Sequence, residues 1–548
     1  MRSPLLFVAI FCLPAVCNAQ APPDAGSLRQ QIERDRTIEL PRRLAPEKRP
    51  EPAPMKADPG ISVSVTEFRF GGNTLLSAER LAPAVAQYLN RRLGFSELED
   101  AATAVANAYR EAGWVARAYL PAQDITEGVV TIQIVEAVFG GAVLEGGAPT
   151  RLKLSYVLSR IEAQQPTGEA LNADALDRAL LIADDLPGVA VTGTLRSGER
   201  EDTTELVLKL SDEPLLIGEA GLDNTGSRAT GLQRATAALT LNSPARVGDL
   251  ASANLIETQG SEYARLAYSV PVGSKGLRLG ANASAMNYRV ITPEFALLNS
   301  HGKSDTYGLD LTYPLLRSRL RNLYLTFNHD RKSFHNEASL AVQSDYGVRL
   351  NTLTLAGNLF DSLGGGGANT ASLAWSSGKL DQGVLQSGEN PALAGRFSKL
   401  RYSAGRQQVL SETLSLYAAW SGQHGQRELD SSEKFFLGGS SGVRAYPSAE
   451  ASGSSGQLAS LELRARLPAD LVLTGFYDWG HVGSFNAAPS YSLRGSGFSI
   501  AWTTRFGVNL KLALARRIGD NPNPTRTGLD QDGSLIRNRI WLNASLPF

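Results

Sequence analysis

From residue 214 to the C-terminus, apolar and polar side chains alternate with a period of two. Leu323, Leu325 and Phe327 alternate with Tyr324, Thr326 and Asn328, and Leu461, Leu463, Ala465 and Leu467 with Glu462, Arg464 and Arg466. Ile540, Leu542, Ala544, Leu546 and Phe548 alternate with Trp541, Asn543 and Ser545. A strand turns successive side chains to opposite faces, so these segments are strands with one apolar and one polar side. A charge at every second position suits a wet lumen opposite a lipid-facing wall. A soluble β-sandwich or β-helix alternates too, so period alone leaves both open. About 335 residues at roughly 20 per strand-plus-loop give roughly 16 antiparallel strands, within the even-numbered range of outer-membrane barrels.

Upstream the period changes. In residues 61–138, Ile61, Val63 and Val65 alternate with Ser62, Ser64 and Thr66 as a half-buried strand. Ser96 and Glu99 make a capping-box pattern, Leu98, Ala102, Val105 and Tyr109 line one helical face, and Gly113 stops the helix. Two strands follow, over 114–120 and 129–135. Residues 139–213 repeat the plan, with a helical face of Leu154, Val157, Leu158 and Ile161 and a second helix capped by Asn172. Strands over 189–194 and 206–210 complete it. Two α+β modules of about 75 residues each are predicted.

Residues 41–60 hold six prolines, from Pro41 to Pro59. Extended at about 3.1 Å per residue, this linker reaches roughly 60 Å, beyond a hydrocarbon core of about 30 Å. Before it, residues 24–39 form a charged helix whose apolar stripe is only Leu28 and Ile32. So narrow a stripe cannot join an ordinary core. The segment is either a solvated tail or a plug in a watery channel. Residues 1–19 read as a signal peptide: Arg2, an apolar run from Leu5 to Val16, then Cys17-Asn18-Ala19. A lipoprotein signal needs a small residue before the cysteine, where this chain has Val16. Both cysteines, Cys12 and Cys17, leave with the leader, so no disulfide or Cys-ligated metal is expected.

The chain carries 54 basic and 54 acidic residues. No basic patch interleaved with aromatics appears, and nucleic acid is not expected as a partner. Candidate chemistry is sparse. Gly438-Gly439-Ser440-Ser441-Gly442 fits G-x-S-x-G, but no helix follows as a nucleophile elbow requires. Ser431-Ser432-Glu433-Lys434 fits S-x-x-K without its companion motifs and reads as a solvated strand end. The five histidines show no ligand spacing, so neither a metal nor a cofactor is expected, and no enzyme activity. Two segments stand out instead: Gly442-Val443-Arg444-Ala445-Tyr446 and Gly475-Phe476-Tyr477-Asp478-Trp479-Gly480. On a strand, Phe476, Asp478 and Gly480 share one face, while Tyr477 and Trp479 suit the membrane interface. Asp478 therefore points into the lumen. Arg444, in a Gly/Ser-rich loop, could fold back to meet it; a solvated arginine with an unrelated aspartate is the plainer alternative.

Several segments are similar to the outer-membrane transporters of two-partner secretion, the TpsB family. Arg117-Ala118-Tyr119-Leu120-Pro121-Ala122-Gln123-Asp124, with Val135-Glu136, resembles the family's first POTRA domain. Arg178-Ala179-Leu180-Leu181 and Asp185-Leu186-Pro187-Gly188-Val189 resemble the second. Asp223-Asn224-Thr225-Gly226-Ser227 resembles the entry to the barrel. Phe436-Leu437-Gly438-Gly439, Val443-Arg444-Ala445-Tyr446 and Phe476-Tyr477-Asp478-Trp479-Gly480 resemble the family's most specific motifs. This chain departs from the pattern at Ala445, where Gly is usual, and at Ser454-Ser455, near which an acidic residue is usual.

The resemblance implies a membrane all-β barrel over 214–548, POTRA domains over 61–138 and 139–213, and a plug helix over 20–40. It implies that Arg444, at the tip of an inward-folded loop, meets Asp478, and that Phe548 forms the C-terminal insertion signal for the barrel-assembly machinery. The expected function is translocation of one large unfolded exoprotein of the TpsA type, bound through its N-terminal domain, across a Gram-negative outer membrane. The POTRA domains would capture it by strand addition in the periplasm. An assembly factor that inserts other barrels shares the arginine motif but usually carries more than two such modules. A passive porin would have no use for the modules.

Overall fold

The computed structural model describes residues 22–34 and 62–548, apart from 126, 201, 387–388, 449, 484 and 486–489. The leader, the linker over 41–60 and residues 20–21 and 35–40 of the predicted plug lie outside the described residues.

Sixteen antiparallel strands among the described residues close into a barrel. It closes because the first strand, Leu216–Asp223, pairs on one side with Arg234–Asn242 and on the other with the last, Asn538–Pro547. Alternation sets the two faces. Leu461 and Leu463 are exposed on the wall, while Glu462 and Arg464 turn inward to pair with charges of the lumen. Likewise Ile540, Leu542 and Leu546 face out and Trp541 is buried inside. No helix among the described residues is long and apolar enough to span a membrane; the strands do so.

The two modules share one three-stranded topology, strand–helix–helix–strand–strand with the last strand central, and the first adds a separate antiparallel pair of Ser62–Val65 with Arg91–Gly94. In the first, Val129–Glu136 lies between Glu67–Gly71, parallel, and Ala116–Tyr119, antiparallel. In the second, Thr203–Asp212 lies between Val138–Glu145, parallel, and Val189–Ser197, antiparallel. Asn172 caps its helix by accepting from the Ala175 amide at 2.9 Å. Gly113 ends the long helix of the first module at φ +84°. That helix, Phe95–Glu111, begins one residue before the expected cap: Glu97, not Glu99, closes the box on the Gly94 amide at 2.9 Å. Glu136 ties the first module together. It accepts from the Leu75 amide at 2.8 Å and the Tyr109 hydroxyl at 2.7 Å, and also from Thr74. Burial alone would raise its carboxyl, but these donors outweigh that and hold it below the usual carboxylate range.

The second module docks on the periplasmic turns of the barrel. Arg317 pairs with Asp185 at 2.7 Å, Arg319 with Asp177 at 2.7 Å, and Arg178 donates to the Pro314 carbonyl at 2.8 Å. These contacts identify the rim carrying residue 318 as the module side. The opposite rim carries the long loops.

Ala25–Arg34 is a helix inside the barrel, and its surroundings resolve the two alternatives open from sequence. Leu28 and Ala25 pack on a lumen cluster with Met286, Phe334, Val348 and Leu380. The narrow apolar stripe suffices because the barrel wall supplies the other half of the contact. Arg29 is buried but pairs with Glu33 at 2.8 Å and donates to Ser284 Oγ at 2.7 Å. The solvated-tail alternative does not describe this helix.

Candidate functional site

The loop over 426–454 leaves the strand Leu414–Gly425, folds into the lumen and returns to the strand Ser455–Leu467. Its two limbs pair briefly at Phe435–Phe436 and Ser452–Gly453. The tip then tightens, with the Val443 amide donating to the Leu437 carbonyl at 2.7 Å and the Gly439 amide to the Tyr446 carbonyl at 3.0 Å. Gly442 passes so close to the Leu437 carbonyl that any side chain there would collide with it.

This turn delivers Arg444 to the wall. Its Nη2 donates to Asp478 Oδ1 at 2.7 Å and its Nε to Asp478 Oδ2 at 2.8 Å, a bidentate fork. Its Nη1 donates to Glu462 Oε1 at 2.8 Å, and its Nη2 also to Ser460 Oγ at 3.0 Å. Strand register explains the convergence: Ser460 lies opposite Asp478, and Glu462 opposite Phe476, on paired strands. The guanidinium carbon sits 3.6 Å from the Phe476 ring centre, so the aromatic face covers what the carboxylates leave. Asp478 is wholly buried, and the Arg444 side chain is 9% exposed. The Arg444 carbonyl accepts from Trp541 Nε1 at 2.8 Å. Tyr446 stacks beneath Arg517, with 4.4 Å between guanidinium carbon and ring centre. The residues of the two motifs therefore come together: Val443, Ala445, Tyr446 and Phe476 form one apolar cluster, and Gly480, having no side chain, admits Leu437 and Val443. Phe548 is not part of it. Its ring covers Gly218 on the outer wall, and its backbone pairs with Gly218 at the closing seam.

Two further anchors hold the same loop. Glu433, in the short turn Ser431–Glu433, is buried and accepts from Lys332 Nζ at 2.7 Å and also from Lys399. The S-x-x-K segment is thus a buried lumen anchor rather than a solvated strand end. The serine-containing stretch also touches the helix: Ser431 Oγ donates to Asp24 Oδ2 at 2.8 Å. On the return limb, Glu450 accepts from the Gln531 amide at 2.9 Å. That joins the loop to the segment over 518–537, which is pinned inside by Asp530 against Arg517 at 2.6 Å. Sequence reasoning placed Glu462 on the lumen side but assigned no role to Glu433, Glu450 or Asp530. Their partners lie on distant strands, and no local spacing announces them.

Ala445 has ordinary backbone geometry, so a methyl in place of the family's usual hydrogen strains nothing. Its methyl is accommodated by Gly495 on the wall, where an added Cβ would fall 2.6 Å from it. Gly495→Ala should therefore displace the tip and lower export by about tenfold, a shift of only ~1.4 kcal/mol. The double variant Gly495→Ala/Ala445→Gly should recover, since the next contact, the Arg516 carbonyl, stands at 3.4 Å. Secretion titres of the three strains check this.

Comparison with known proteins gives the family. The model for "Haemolysin secretion/activation protein ShlB/FhaC/HecB" matches residues 202–502, and that for the ShlB-type POTRA domain matches residues 63–137. The heme/hemopexin transporter protein HuxB of Haemophilus influenzae is 25% identical over 538 residues, covering 92% of this chain and 93% of the relative. The outer membrane transporter CdiB of Dickeya dadantii is 24% identical over 425 residues, covering 74% and 73%. The solved structure of CdiB from Escherichia coli superposes with a TM-score of 0.73 at 20% identity, covering 91% of this chain and 93% of that one. The chain belongs to the ShlB/FhaC/HecB family of haemolysin secretion/activation proteins.

Proposed function

We propose that this chain passes one large, unfolded exoprotein through its barrel as the transporter of a two-partner secretion pair. It lies in the outer membrane of a Gram-negative bacterium, with its POTRA region in the periplasm. The observation that carries the reading is the lumen. A sixteen-strand wall encloses a helix and a loop joined mainly by polar contacts, an arrangement that can open without breaking the wall. Porin-sized barrels of 16–18 strands otherwise leave an aqueous channel.

In this reading the modules over 61–138 and 139–213 act as two POTRA domains. Edge strands such as Ala116–Tyr119, and Val138–Glu145 beyond Phe139, whose amide and carbonyl already pair with Glu169 and Gly168, offer backbone to an extended segment of the exoprotein's N-terminal domain. Arg444 and Asp478 anchor the loop in a transport-competent position, and Phe548 presents the aromatic end to the barrel-assembly machinery. The exoprotein is an unfolded chain of the TpsA type.

The test uses the full-length protein in detergent and the N-terminal domain of a candidate exoprotein encoded nearby. Selective binding of that domain, and none of an unrelated exported domain, is expected. Indiscriminate capture of unfolded barrel precursors would instead favour an assembly factor.

A further inference from the structure

Strand register places four cations in one row on the outside of the barrel. Arg331 lies opposite Arg349, Arg349 opposite Lys379, and Lys379 opposite Arg396, on four consecutive strands. All four are exposed, whereas their chain neighbours Lys332, Val348, Leu380 and Phe397 are buried in the lumen. Like charges directly opposite one another destabilise a sheet. Among the described residues the carboxylate paired with the row is Asp381, which bridges Arg349 at 2.7 Å and Lys379 at 2.5 Å, while Glu337 and Asp345, farther out on the same strands, pair with His335. One carboxylate against four cations leaves a net positive strip.

Its height on the wall is informative. Four residues toward the module side, each strand presents an apolar or aromatic residue outward: Phe327, Leu353, Trp375 and Leu400, themselves paired across the strands. Phe327, Leu353 and Trp375 are exposed, as lipid-facing side chains of a membrane band are. Between the two rows lie His329, Asn351, Ser377 and Ser398, all polar. The strand Arg321–Ala338 begins at the turn whose Arg317 and Arg319 meet the second module. Its far half, with Arg331, therefore stands on the rim away from the periplasm. Order along the wall is thus apolar band, polar row, cationic row, outward into the external leaflet.

We infer that this row binds the phosphorylated headgroup of the outer leaflet's saccharolipid, lipopolysaccharide, with its acyl chains against the Phe327–Trp375 band. The inference rests on the outer-membrane location alone, not on the transport mechanism. A multiply phosphorylated headgroup spans several strands, as the row does, and its charge removes the repulsion the row carries when bare. Arginine suits this role because its planar fork meets phosphate oxygens in pairs. A ligand at this wall would also steady the tallest part of the barrel, where the two strands meet at Ala338 and Ala341.

The test is native mass spectrometry of the full-length protein, delipidated in mild detergent and titrated with lipopolysaccharide, phosphatidylglycerol or inorganic phosphate. The wild-type protein should retain lipopolysaccharide in preference to the other two. Arg331→Gln/Arg349→Gln/Lys379→Gln/Arg396→Gln should bind it about tenfold more weakly or worse, each interfacial cation contributing separately. Arg331→Lys/Arg349→Lys/Arg396→Lys should bind between the two, keeping the charge and losing the paired contacts, and serves, with heat-modifiable gel mobility, as the control for folding. Equal retention by the glutamine variant would overturn the site. Phosphatidylglycerol binding as well as lipopolysaccharide would overturn its assignment to the outer-leaflet lipid, and equal competition by inorganic phosphate would reduce it to a nonspecific anion patch.

Discussion

Arg444→Ala should abolish export while the barrel still inserts and migrates as a folded, heat-modifiable band. The substitution strands Asp478, wholly buried, with the Ser460 hydroxyl at 2.8 Å and the residue 444 amide at 3.2 Å as its remaining donors. Breaking a buried pair this way costs on the order of 3–5 kcal/mol, enough to release the loop tip but little against sixteen paired strands. Asp478→Ala should be nearly as severe, because the guanidinium keeps Glu462 but loses its fork. Glu462→Ala should be milder, since Asp478 still holds both Nε and Nη2. Arg444→Lys should fail with the alanine variant: an ammonium cannot bridge Asp478, Glu462 and Ser460 together while lying on Phe476. Secretion titres of these four strains, with surface barrel quantified in each, check the order. Normal export by Arg444→Ala and Asp478→Ala together would remove the pair from the mechanism. The same geometry explains why charge reversal, Arg444→Asp with Asp478→Arg, should not rescue. The new arginine would rise from the wall beside Phe476 without the tight turn that now aims the guanidinium, and the new aspartate would face Glu462.

Much of this architecture was legible because a barrel writes itself in period two. Leu461 to Leu467 and Ile540 to Phe548 face as their alternation predicts, and the expected strand number agrees with the sixteen that close. Asp478 was legible for the same reason, being flanked by interface-type aromatics on the opposite face. Arg444 was legible only through its motif, since a Gly/Ser-rich loop carries no period. What escaped was set by long-range contact. Glu433 meets Lys332 and Lys399 across 101 and 34 residues, so its local surroundings suggested a solvated strand end. The strands Glu67–Gly71, Arg91–Gly94 and Val138–Glu145 went unassigned because they are short or broken by Gly140-Gly141. The lumen helix was recognised as a helix, yet its stripe of Leu28 and Ile32 looked insufficient, because a stripe is judged against a core built from other helices. Here the complementary surface is the polar inner wall itself, with Phe334 and Met286 supplying the apolar part.

Deleting residues 24–34 should raise single-channel conductance in planar bilayers by roughly twofold or more. An α-helix with side chains is about 10–12 Å across, a large share of a sixteen-strand lumen. The attachments of this one are those of a removable element. Its apolar contribution is Ala25, Leu28 and part of Ile32, and burying a leucine side chain contributes only about 1.5–3 kcal/mol. Its remaining holds are polar: the Ala25 amide on Asn336, Arg29 on Ser284, Asp24 on Ser431, and Arg34 on the Phe436 carbonyl and Ser441. Water in an opened lumen would replace each of them at modest net cost. Three of those holds, at Ser431, Phe436 and Ser441, belong to the same inward loop that carries Arg444. Helix departure therefore frees the outgoing limb of the loop on either side of Glu433 while leaving Arg444 at the tip fixed on Asp478. Paired deletions separate the contributions: loss of the helix alone should give stable, enlarged openings, and its combination with Arg444→Ala should add flicker as the untethered tip samples the lumen. Unchanged conductance in the helix deletion would mean that the loop, not the helix, seals the channel.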